Sequence, residues 1–314
     1  MSQTAAIVVN WNGGPLLLDA IGSLVRQTAR PEVWLVDNGS ADGSPEAVAQ
    51  AWPEVRILRQ DSNRGFAAGN NVALREVIGR RHVLFFNNDA VLPDPESLEM
   101  AEAMLRREPS VNGVVGRYEY PDGRFQNYYN GHLTPFAFAV AFGVGRYCPP
   151  WRRGRALDEF YQLRRDFSQP GTMVHPAFVS LLARREAVAR VGLLDEQFPI
   201  YFNDSDWCRR WSEAGYTWHY RPDWRVVHHL GQSTRKLSTV AQAEMAASAL
   251  RYARKHFGGP PGWLAQASAF GEVCWRRLRH GEMSGCLGGI WRGETFFNRV
   301  PAPPPPPAGG GSQG

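Results

Sequence analysis

The chain has 314 residues, 43% hydrophobic and 21% charged, which is enough for one large α/β domain or two small ones. Its 35 Lys and Arg against 30 Asp and Glu give a net charge of +5, supplied almost entirely by arginine, which suits carboxylate or phosphate partners. The basic clusters at 151–155 and 275–280 stand in no nucleic-acid-binding motif, so no nucleic-acid partner is expected.

The four cysteines form no CxxC pair or other close ligand spacing, which argues against a disulfide framework or a zinc site and favours a reducing compartment. The apolar run that begins at Ala5 is too short for the hydrophobic region of a signal peptide. No window of about 18 apolar residues occurs that would span a bilayer. We therefore expect a cytoplasmic protein, at most peripheral on the inner face of the cell membrane.

Short apolar runs alternate with helical periodicity through the first half of the chain. Strands are predicted at 6–11, 33–36, 55–58 and 82–86. Helices are predicted at 16–26, at 45–51, and from the 63–70 stretch through 78. This alternation predicts an α/β fold with a parallel sheet and crossover helices.

Three of these strands end in polar residues at their carboxyl edges: Asn10, Asp37 and the pair Asn88-Asp89. In open α/β sheets, ligands bind beyond the carboxyl edge of the strands. Each loop alone is also consistent with ordinary turn chemistry, but the coincidence of three favours a ligand site. The chain has neither GxGxxG nor GxxxxGK[ST], so a dinucleotide site and a P-loop are not indicated.

The remainder of the chain is less regular. The segment 117–170, rich in aromatics and arginine, shows little periodicity and predicts long loops or an excursion over the open edge of the sheet. Further elements are predicted as a strand at 177–182, a helix at 185–192 and a strand at 226–229.

Residues 259–299 predict a helical C-terminal extension whose amphipathic part, 263–299, either packs as an accessory helix or contacts a membrane surface. The Pro/Gly-rich end, 300–314, is expected to be disordered.

The stretch 201–211 places two carboxylates, Asp204 and Asp206, at the start of a predicted helix that ends at Gly215. Asn203 or Asp204 is the expected N-cap. A carboxylate there is kept ionised by the free N–H groups and the helix dipole. Taken alone, this pattern indicates only a helix cap. Because it occurs together with the polar strand ends, Asp204 becomes a candidate general base.

Five motifs in fixed order resemble those of family-2 inverting glycosyltransferases, with the rhamnosyltransferase-like branch most similar. They lie at 9–12, 36–44, 63–70, 86–89 and 201–206, and the resemblance covers about residues 5–256. It implies a GT-A fold, with a Rossmann-like, mostly parallel central sheet flanked by helices. The implied catalytic domain is 1–258, with a nucleotide-sugar half at about 1–116 and an acceptor half at about 117–258.

The resemblance also implies a donor site. Asp37 would bind the pyrimidine ring and Asn10 would line the base pocket, while Arg64 and Asn70 would lie near the nucleotide and its phosphates. The stretch Asn87-Asn88-Asp89 stands where the family has its Asp-x-Asp motif, next to the donor.

In the same way Asp89 would be the carboxylate that binds Mg²⁺ or Mn²⁺, as such ions favour oxygen ligands and substrate phosphates. His228, within a late His-x-x-Gly-x-Ser pattern at 228–233, would be a metal or diphosphate ligand. Asp204 would be the catalytic base and Asp206 would help to orient the acceptor.

Two positions depart from the family pattern. Asn87 replaces the first carboxylate of Asp-x-Asp, and Asn203 stands where many members have Glu. The Gln-x-x-Arg-Trp signature of processive synthases is missing, which favours the addition of a single sugar.

The expected function is inverting transfer of one sugar from a nucleotide-sugar, dTDP-rhamnose first and UDP-sugars next. The expected acceptor is a hydroxyl of a saccharide or lipid-linked saccharide in cell-surface polysaccharide synthesis. One alternative is a non-catalytic glycan-binding or scaffold protein on a degenerate form of the fold. Another is a sugar nucleotidyltransferase, although the chain shows no Gly-rich triphosphate loop near its N-terminus.

Overall fold

The computed structural model describes residues 3–229, 238–280, 287–292 and 295, within which the strands form a nine-stranded sheet and a two-stranded sheet. The strands are β1 (Thr4–Asn10), β2 (Glu32–Asp37), β3 (Arg56–Arg59), β4 (His82–Asn87), β5 (Ala90–Val91), β6 (Gly113–Glu119), β7 (Tyr129–Asn130), β8 (Gly171–Met173), β9 (His175–Pro176), β10 (Ser180–Arg184) and β11 (Trp218–His228).

The helices are α1 (Pro15–Val25), α2 (Ser44–Ala51), α3 (Gly65–Glu76), α4 (Ser97–Arg107), α5 (Pro135–Phe142), α6 (Pro150–Phe160), α7 (Arg185–Val191), α8 (Asn203–Glu213), α9 (Ser238–His256), α10 (Gly259–His280) and α11 (Leu287–Arg292). A 3₁₀-helix at Val144–Tyr147 joins α5 to α6. None of the helices described is both long and apolar enough to cross a membrane.

The large sheet has the order β3-β2-β1-β4-β10-β6-β11-β5, with β8 added beside β11. Strands β1 to β4 pair in parallel, whereas β10 runs antiparallel to both of its neighbours. The apolar core of β1, Ala5 to Val8, is fully buried, as expected for a strand covered by helices on both faces. The predicted α/β architecture with flanking helices is confirmed.

The register of the parallel strands brings their polar ends together. Asn10 lies opposite Asp37 on β2, and Val9 lies opposite Asn87 on β4. The side chains that follow β1, β2 and β4 therefore share the carboxyl edge of the sheet, as the sequence predicted.

The prediction of long loops over 117–170 is wrong. This segment contains the end of β6, the helices α5 and α6, and the 3₁₀-helix between them. Helix α5 has the sequence PFAFAVAF, which is apolar on every side, so it carries no amphipathic signal. It lies in a second hydrophobic cluster with α9 and α10, separate from the cluster that surrounds the sheet.

The helix α9 was not predicted, and α10 begins at Gly259 with two prolines in its first turn, where their missing N–H groups are tolerated. The predicted C-terminal extension is helical where the structure describes it, through α10 and α11. The predicted disordered tail, 300–314, and positions 230–233 of the late His-x-x-Gly-x-Ser pattern lie outside the described residues.

Gly65, at the start of α3, offers a test of this packing. It has φ +92°, and a Cβ there would lie 2.6 Å from the carbonyl oxygen of Pro199, in the segment that leads to α8. Gly65→Ala is expected to lower the free energy of unfolding by about 3 kcal/mol, because backbone strain and overpacking add. Gly79→Ala, with φ +75° but open space around the new methyl, should cost only about 1 kcal/mol. Urea denaturation measures both; equal losses would contradict the close approach of Pro199.

Candidate active site

Asn10 connects the three loops at the carboxyl edge of the sheet. Its side chain is fully buried, and its amide nitrogen donates to the hydroxyl oxygens of Ser40 and Ser44 at 3.1 and 3.2 Å. Its amide oxygen accepts a 2.8 Å hydrogen bond from the side chain of Asn88. A Cβ at Gly13 would lie 2.3 Å from that oxygen, so the turn after β1 needs glycine there.

Asp37 is nearly buried at the end of β2. One carboxylate oxygen accepts a 3.0 Å hydrogen bond from the backbone N–H of Ser40, and the other lies 3.6 Å from the guanidinium of Arg59. Asp42, which the sequence did not single out, holds the same region together. Its two carboxylate oxygens accept hydrogen bonds from the backbone N–H groups of Gly14 and Ser44, at 2.9 and 3.1 Å.

The other residues predicted near the nucleotide differ in their surroundings. Arg64 has an exposed guanidinium that lies 3.5 Å from the carboxylate of Glu196. Asn70 is buried, and its amide nitrogen donates to the carbonyl of Phe66 one turn earlier in α3. Asn87 is partly exposed at the end of β4, where its backbone N–H donates to the carbonyl of Val179. Arg64 therefore keeps an exposed guanidinium beside Glu196, whereas Asn70 is engaged inside its own helix.

Asp89 and His228 are brought together from positions 139 apart in the chain. The imidazole Nε2 lies 3.3 Å from a carboxylate oxygen of Asp89, and the backbone N–H of His229 donates to the Asp89 carbonyl at 2.9 Å. The pairing of β5 with β11 places Ala90 opposite His228, which fixes this approach.

Gln126 orients the imidazole of His228, and nothing in the sequence pointed to it. Its amide nitrogen donates a hydrogen bond to the His228 carbonyl at 2.7 Å. Its amide oxygen lies 2.9 Å from Nδ1 of the ring and accepts a hydrogen bond from it. This assignment puts a ring proton on Nδ1, and Nε2 is the ring nitrogen that faces Asp89. A histidine held in this way by a second residue is typical of metal ligands.

A third protein ligand is not provided nearby: no group of three or more His, Cys, Asp or Glu side chains suited to a metal occurs in the described ranges. Magnesium commonly binds through one or two carboxylates and completes its shell with water and substrate phosphates. The pair of Asp89 and His228 therefore fits an ion that is shared with a phosphate-bearing ligand.

The predicted N-cap, Asn203 or Asp204, is wrong. Phe202, in the left-handed conformation with φ 63°, holds the N-cap position, and Asn203 instead donates its amide nitrogen to the carbonyl of Ile200 at 2.7 Å. The ring of Phe202 is buried against α5 and α9, and this burial accounts for an aromatic residue at a position that favours small polar ones. The predicted stop at Gly215, with φ +84°, is confirmed.

Asp204 lies in the first turn of α8 and remains partly exposed. One of its carboxylate oxygens accepts from the backbone N–H of Ser205 at 2.7 Å and from the Ser205 hydroxyl at 3.3 Å. The start of the helix thus provides local donors and a favourable dipole for the charged carboxylate.

Asp206 has a different environment, although it lies only two residues further on. It is fully buried, and its carboxylate contacts Arg210, Lys255 and His256 at 3.0, 2.6 and 2.7 Å. Burial by itself would raise the pKa of Asp206, but the hydrogen bonds from His256 and Lys255 and the charge of Arg210 outweigh it and lower the pKa to about 2. Asp206 therefore ties α8 to the end of α9.

His175 is a second residue that sequence analysis missed. It lies on β9, buried, and its Nε2 has no hydrogen-bond partner among the residues that the structure describes. Burial lowers the pKa of His175, and the nearby negative charge of Asp204 opposes this shift. No motif marks it, because the pairing of β7 with β9 determines its position near α8.

The two-stranded sheet connects the Asp89–His228 pair to α8. The ring of Tyr128 meets that of His228 edge-on at 6.0 Å, and the Tyr128 carbonyl accepts from the backbone N–H of Ala177. One residue earlier, the carbonyl of Pro176 accepts from the buried thiol of Cys208 in α8. The Asp89–His228 pair and the middle of α8 are thus linked by a chain of contacts.

The chain is similar in sequence to known glycosyltransferases. The family model described as Glycosyl transferase family 2 matches residues 5–192, a range that contains Asn10, Asp37 and Asp89 but ends before Asp204 and His228. The chain is 29% identical over 240 residues to the N-acetylglucosaminyl-diphospho-decaprenol L-rhamnosyltransferase of Mycobacterium tuberculosis, covering 73% of this chain and 76% of that protein.

Two solved structures share the fold. The mannosyltransferase PcManGT from Pyrobaculum calidifontis, in complex with GDP-Man and Mn²⁺, has a TM-score of 0.53 at 18% identity, covering 92% of this chain and 78% of that one. S. aureus TarS 1-349 in complex with UDP has a TM-score of 0.52 at 14% identity, covering 89% and 73%. The predicted GT-A fold is confirmed.

The contacts of Asp206 with Arg210, Lys255 and His256 predict a pH-dependent contribution to stability. Asp206→Asn is expected to lower the free energy of unfolding by on the order of 2 kcal/mol at neutral pH. Because the folded-state pKa, about 2, lies below the ordinary value of 3.8, this contribution is present above pH 4 and is lost as the pH falls towards 2. Urea titrations of the variant and the parent from pH 7 to pH 2.5 measure the difference.

The exposed carboxylate of Asp19 on α1 provides a matched control, and Asp19→Asn should leave the stability unchanged. A difference between Asp206→Asn and the parent that stays constant down to pH 2.5 would contradict the low pKa of Asp206.

Proposed function

The chain belongs to glycosyl transferase family 2, and we propose that it transfers a single sugar, with rhamnose favoured, from a nucleotide-sugar to an acceptor hydroxyl. The transfer inverts the configuration of the anomeric carbon. The observation that carries this proposal is the meeting of Asp89 and His228 beside the edge at which Asn10, Asp37 and Asn88 converge. The Mycobacterium tuberculosis relative, named as a rhamnosyltransferase, supports the choice of sugar.

In the proposed donor complex, Asp37 accepts a hydrogen bond from the N3–H of a pyrimidine, since its backbone and arginine contacts leave lone pairs free. Asn10 keeps the surrounding loops in place through Ser40 and Asn88. The exposed guanidinium of Arg64 is suited to a phosphate. Asn87 and Asn88 border the diphosphate, and the buried Asn70 supports α3 from within. The first donor to test is dTDP-rhamnose, followed by UDP-sugars.

The residues present fit a divalent ion, Mg²⁺ or Mn²⁺, held by Asp89 and by Nε2 of His228. When bound, such an ion neutralises the charge that develops on the leaving diphosphate. Asp89 supplies the anionic oxygen, and Gln126 keeps the lone pair of His228 available by holding the proton on Nδ1. Because Asn87 contributes no charge, the donor diphosphate must supply the remaining anionic oxygens.

Asp204 is the proposed general base. Its partly exposed carboxylate takes the proton from the acceptor hydroxyl as that oxygen attacks the anomeric carbon, and the bond to the diphosphate breaks. Asp206 is buried in contact with Arg210, Lys255 and His256, so its proposed role is to hold α8, and with it Asp204, against α9. This role replaces the orientation of the acceptor that was expected of Asp206 from sequence.

The proposed acceptor is a lipid-linked saccharide, in line with the name of the Mycobacterium tuberculosis relative. The direct test is a panel of nucleotide-sugars incubated with N-acetylglucosamine linked through a diphosphate to a short prenyl chain. Transfer should be greatest with dTDP-rhamnose and should release a nucleoside diphosphate. Release of pyrophosphate instead would favour a nucleotidyltransferase, and no release with any donor would favour a glycan-binding protein.

Asp204→Asn keeps the shape of the side chain but removes its basicity. Turnover should fall by ~10²–10⁴-fold while the dissociation constant of the donor stays unchanged. Glu213→Gln, at the exposed far end of the same helix, is the control and should retain full turnover. Wild-type turnover in Asp204→Asn would remove Asp204 as the base.

Asp89→Ala should abolish the part of donor binding that depends on the metal. Isothermal titration calorimetry of the nucleoside diphosphate with Mn²⁺ and with EDTA should show a difference for the parent and none for the variant. Asp94→Ala, which removes an exposed carboxylate from the loop after β5, should behave like the parent. An unchanged response to Mn²⁺ in Asp89→Ala would eliminate the metal role.

A further inference from the structure

A groove with a volume of about 1050 Å³ opens at the edge of the large sheet opposite the candidate active site. At this edge β4 begins with His82, which lies opposite Arg184, the last residue of β10. The polar strand ends at Asn10 and Asn87 lie at the other edge, because β1 and β4 run in parallel. The groove is therefore separate from the site proposed for the nucleotide-sugar.

Arginine dominates the lining of this groove. Five arginines contribute to it: Arg80 and Arg81 just before β4, Arg106 in the last turn of α4, and Arg184 and Arg185 where β10 meets α7. Among the described residues that line it, only Glu186 is acidic. We call this lining the arginine groove.

Most of the arginines in the groove have no acidic partner. Arg80 and Arg106 each contact a glutamate, at 2.8 and 3.2 Å. The other three, Arg81, Arg184 and Arg185, form no ion pair with any residue that the structure describes. Three unpaired guanidinium groups against the one carboxylate that lines the groove leave it with an excess of positive charge.

The unpaired arginines are held in place by the ends of two helices and by each other. Nη2 of Arg184 donates to the carbonyl of Leu105 in the last turn of α4, and Nη2 of Arg185 donates to that of Leu74 in the last turn of α3. The carbonyl of Arg81 accepts from the backbone N–H of Arg185 at 2.8 Å, which brings these two residues together. Each guanidinium has five N–H groups, so donors remain on Nη1 of Arg184 and Arg185. Guanidinium groups that are already oriented lose little freedom when they bind a ligand.

The buried imidazole of His82 reports the positive field of the same groups. Burial lowers the pKa of His82 most, and the charges of Arg184, Arg106 and Arg81 lower it further, to about 4. These arginines come from three different segments of the chain, so their charges converge on one place. A field that opposes a proton on His82 favours an anion in the groove beside it.

We propose that the arginine groove binds a phosphate-bearing anion, held by Arg81, Arg184 and Arg185. The planar fork of a guanidinium matches the oxygens of a phosphate and forms two parallel hydrogen bonds with it. A phosphate group has three terminal oxygens, so it can accept from more than one of these arginines at once, whereas a carboxylate offers only two. Support of the helix ends does not account for the groove, because Arg81 is exposed and takes no part in it. Soluble phosphorylated compounds and phospholipid headgroups share the chemistry that this site recognises.

The first arm of the test is isothermal titration calorimetry of the full chain with inorganic tripolyphosphate in metal-free buffer. The parent should bind, and the double variant Arg81→Gln, Arg185→Gln should bind at least about tenfold more weakly, because two charged donors are removed. Arg185 also supports the end of α3, so Arg81→Gln is measured alone as well and should weaken binding by about threefold or more. Circular dichroism establishes that each variant is folded.

Arg64→Gln is the matched control. It makes the same change of charge at the exposed guanidinium proposed for the donor phosphates, and it should bind tripolyphosphate like the parent.

The second arm is co-sedimentation with vesicles of phosphatidylcholine alone and of phosphatidylcholine with phosphatidic acid, whose headgroup is a phosphate monoester. Binding in either arm that the double variant loses supports the proposal, and the arm in which it occurs identifies the phosphate as soluble or lipid-borne. A parent that binds in neither arm would overturn the proposal. So would tripolyphosphate binding that is equal in the parent and Arg81→Gln, or that Arg64→Gln loses, since the anion would then lie at the proposed donor site. Neither arm contains a nucleotide-sugar, so a failure of sugar transfer would leave this inference standing.

Discussion

The parallel register of β1, β2 and β4 is the constraint on which the candidate site depends. Hydrogen bonding between parallel strands puts Asn10 level with Asp37 and Val9 level with Asn87, so the polar residues that follow each strand meet at one edge. Asn10 then joins the loops through its bonds to Ser40 and Asn88. A slip of one strand would separate these side chains, because successive residues point to opposite faces of a sheet.

A second arrangement, independent of the first, positions α8. The buried carboxylate of Asp206 is held by cationic side chains from α8 itself and from α9, while Phe202 is packed among the rings of α5 and α9. Asp204 is therefore held from the helix side and Asp89 from the sheet side. The β7–β9 pair connects the two through Tyr128 and Pro176.

Sequence reasoning was effective where a signal is local. Buried strands, their polar ends and the glycine stop at Gly215 all leave patterns within a few residues, and the structure agrees with them. It failed for α5, because a helix that is apolar on all sides has no periodicity. It also failed at Phe202, whose cap position depends on tertiary packing that outweighs local capping preference. Gln126 and His175 could not be found, since the groups near them, His228 and Asp204, are far away in the chain and no spacing rule connects them.

The central claim is that Asp204 activates the acceptor for a single displacement at the anomeric carbon, with the Asp89–His228 pair assisting the leaving diphosphate. The most direct measurement is the anomeric configuration of the transferred sugar, determined by NMR on the product and compared with that of the donor. One in-line attack predicts inversion in every product molecule. Retention of configuration would contradict the account, because a single in-line attack at the anomeric carbon cannot produce it.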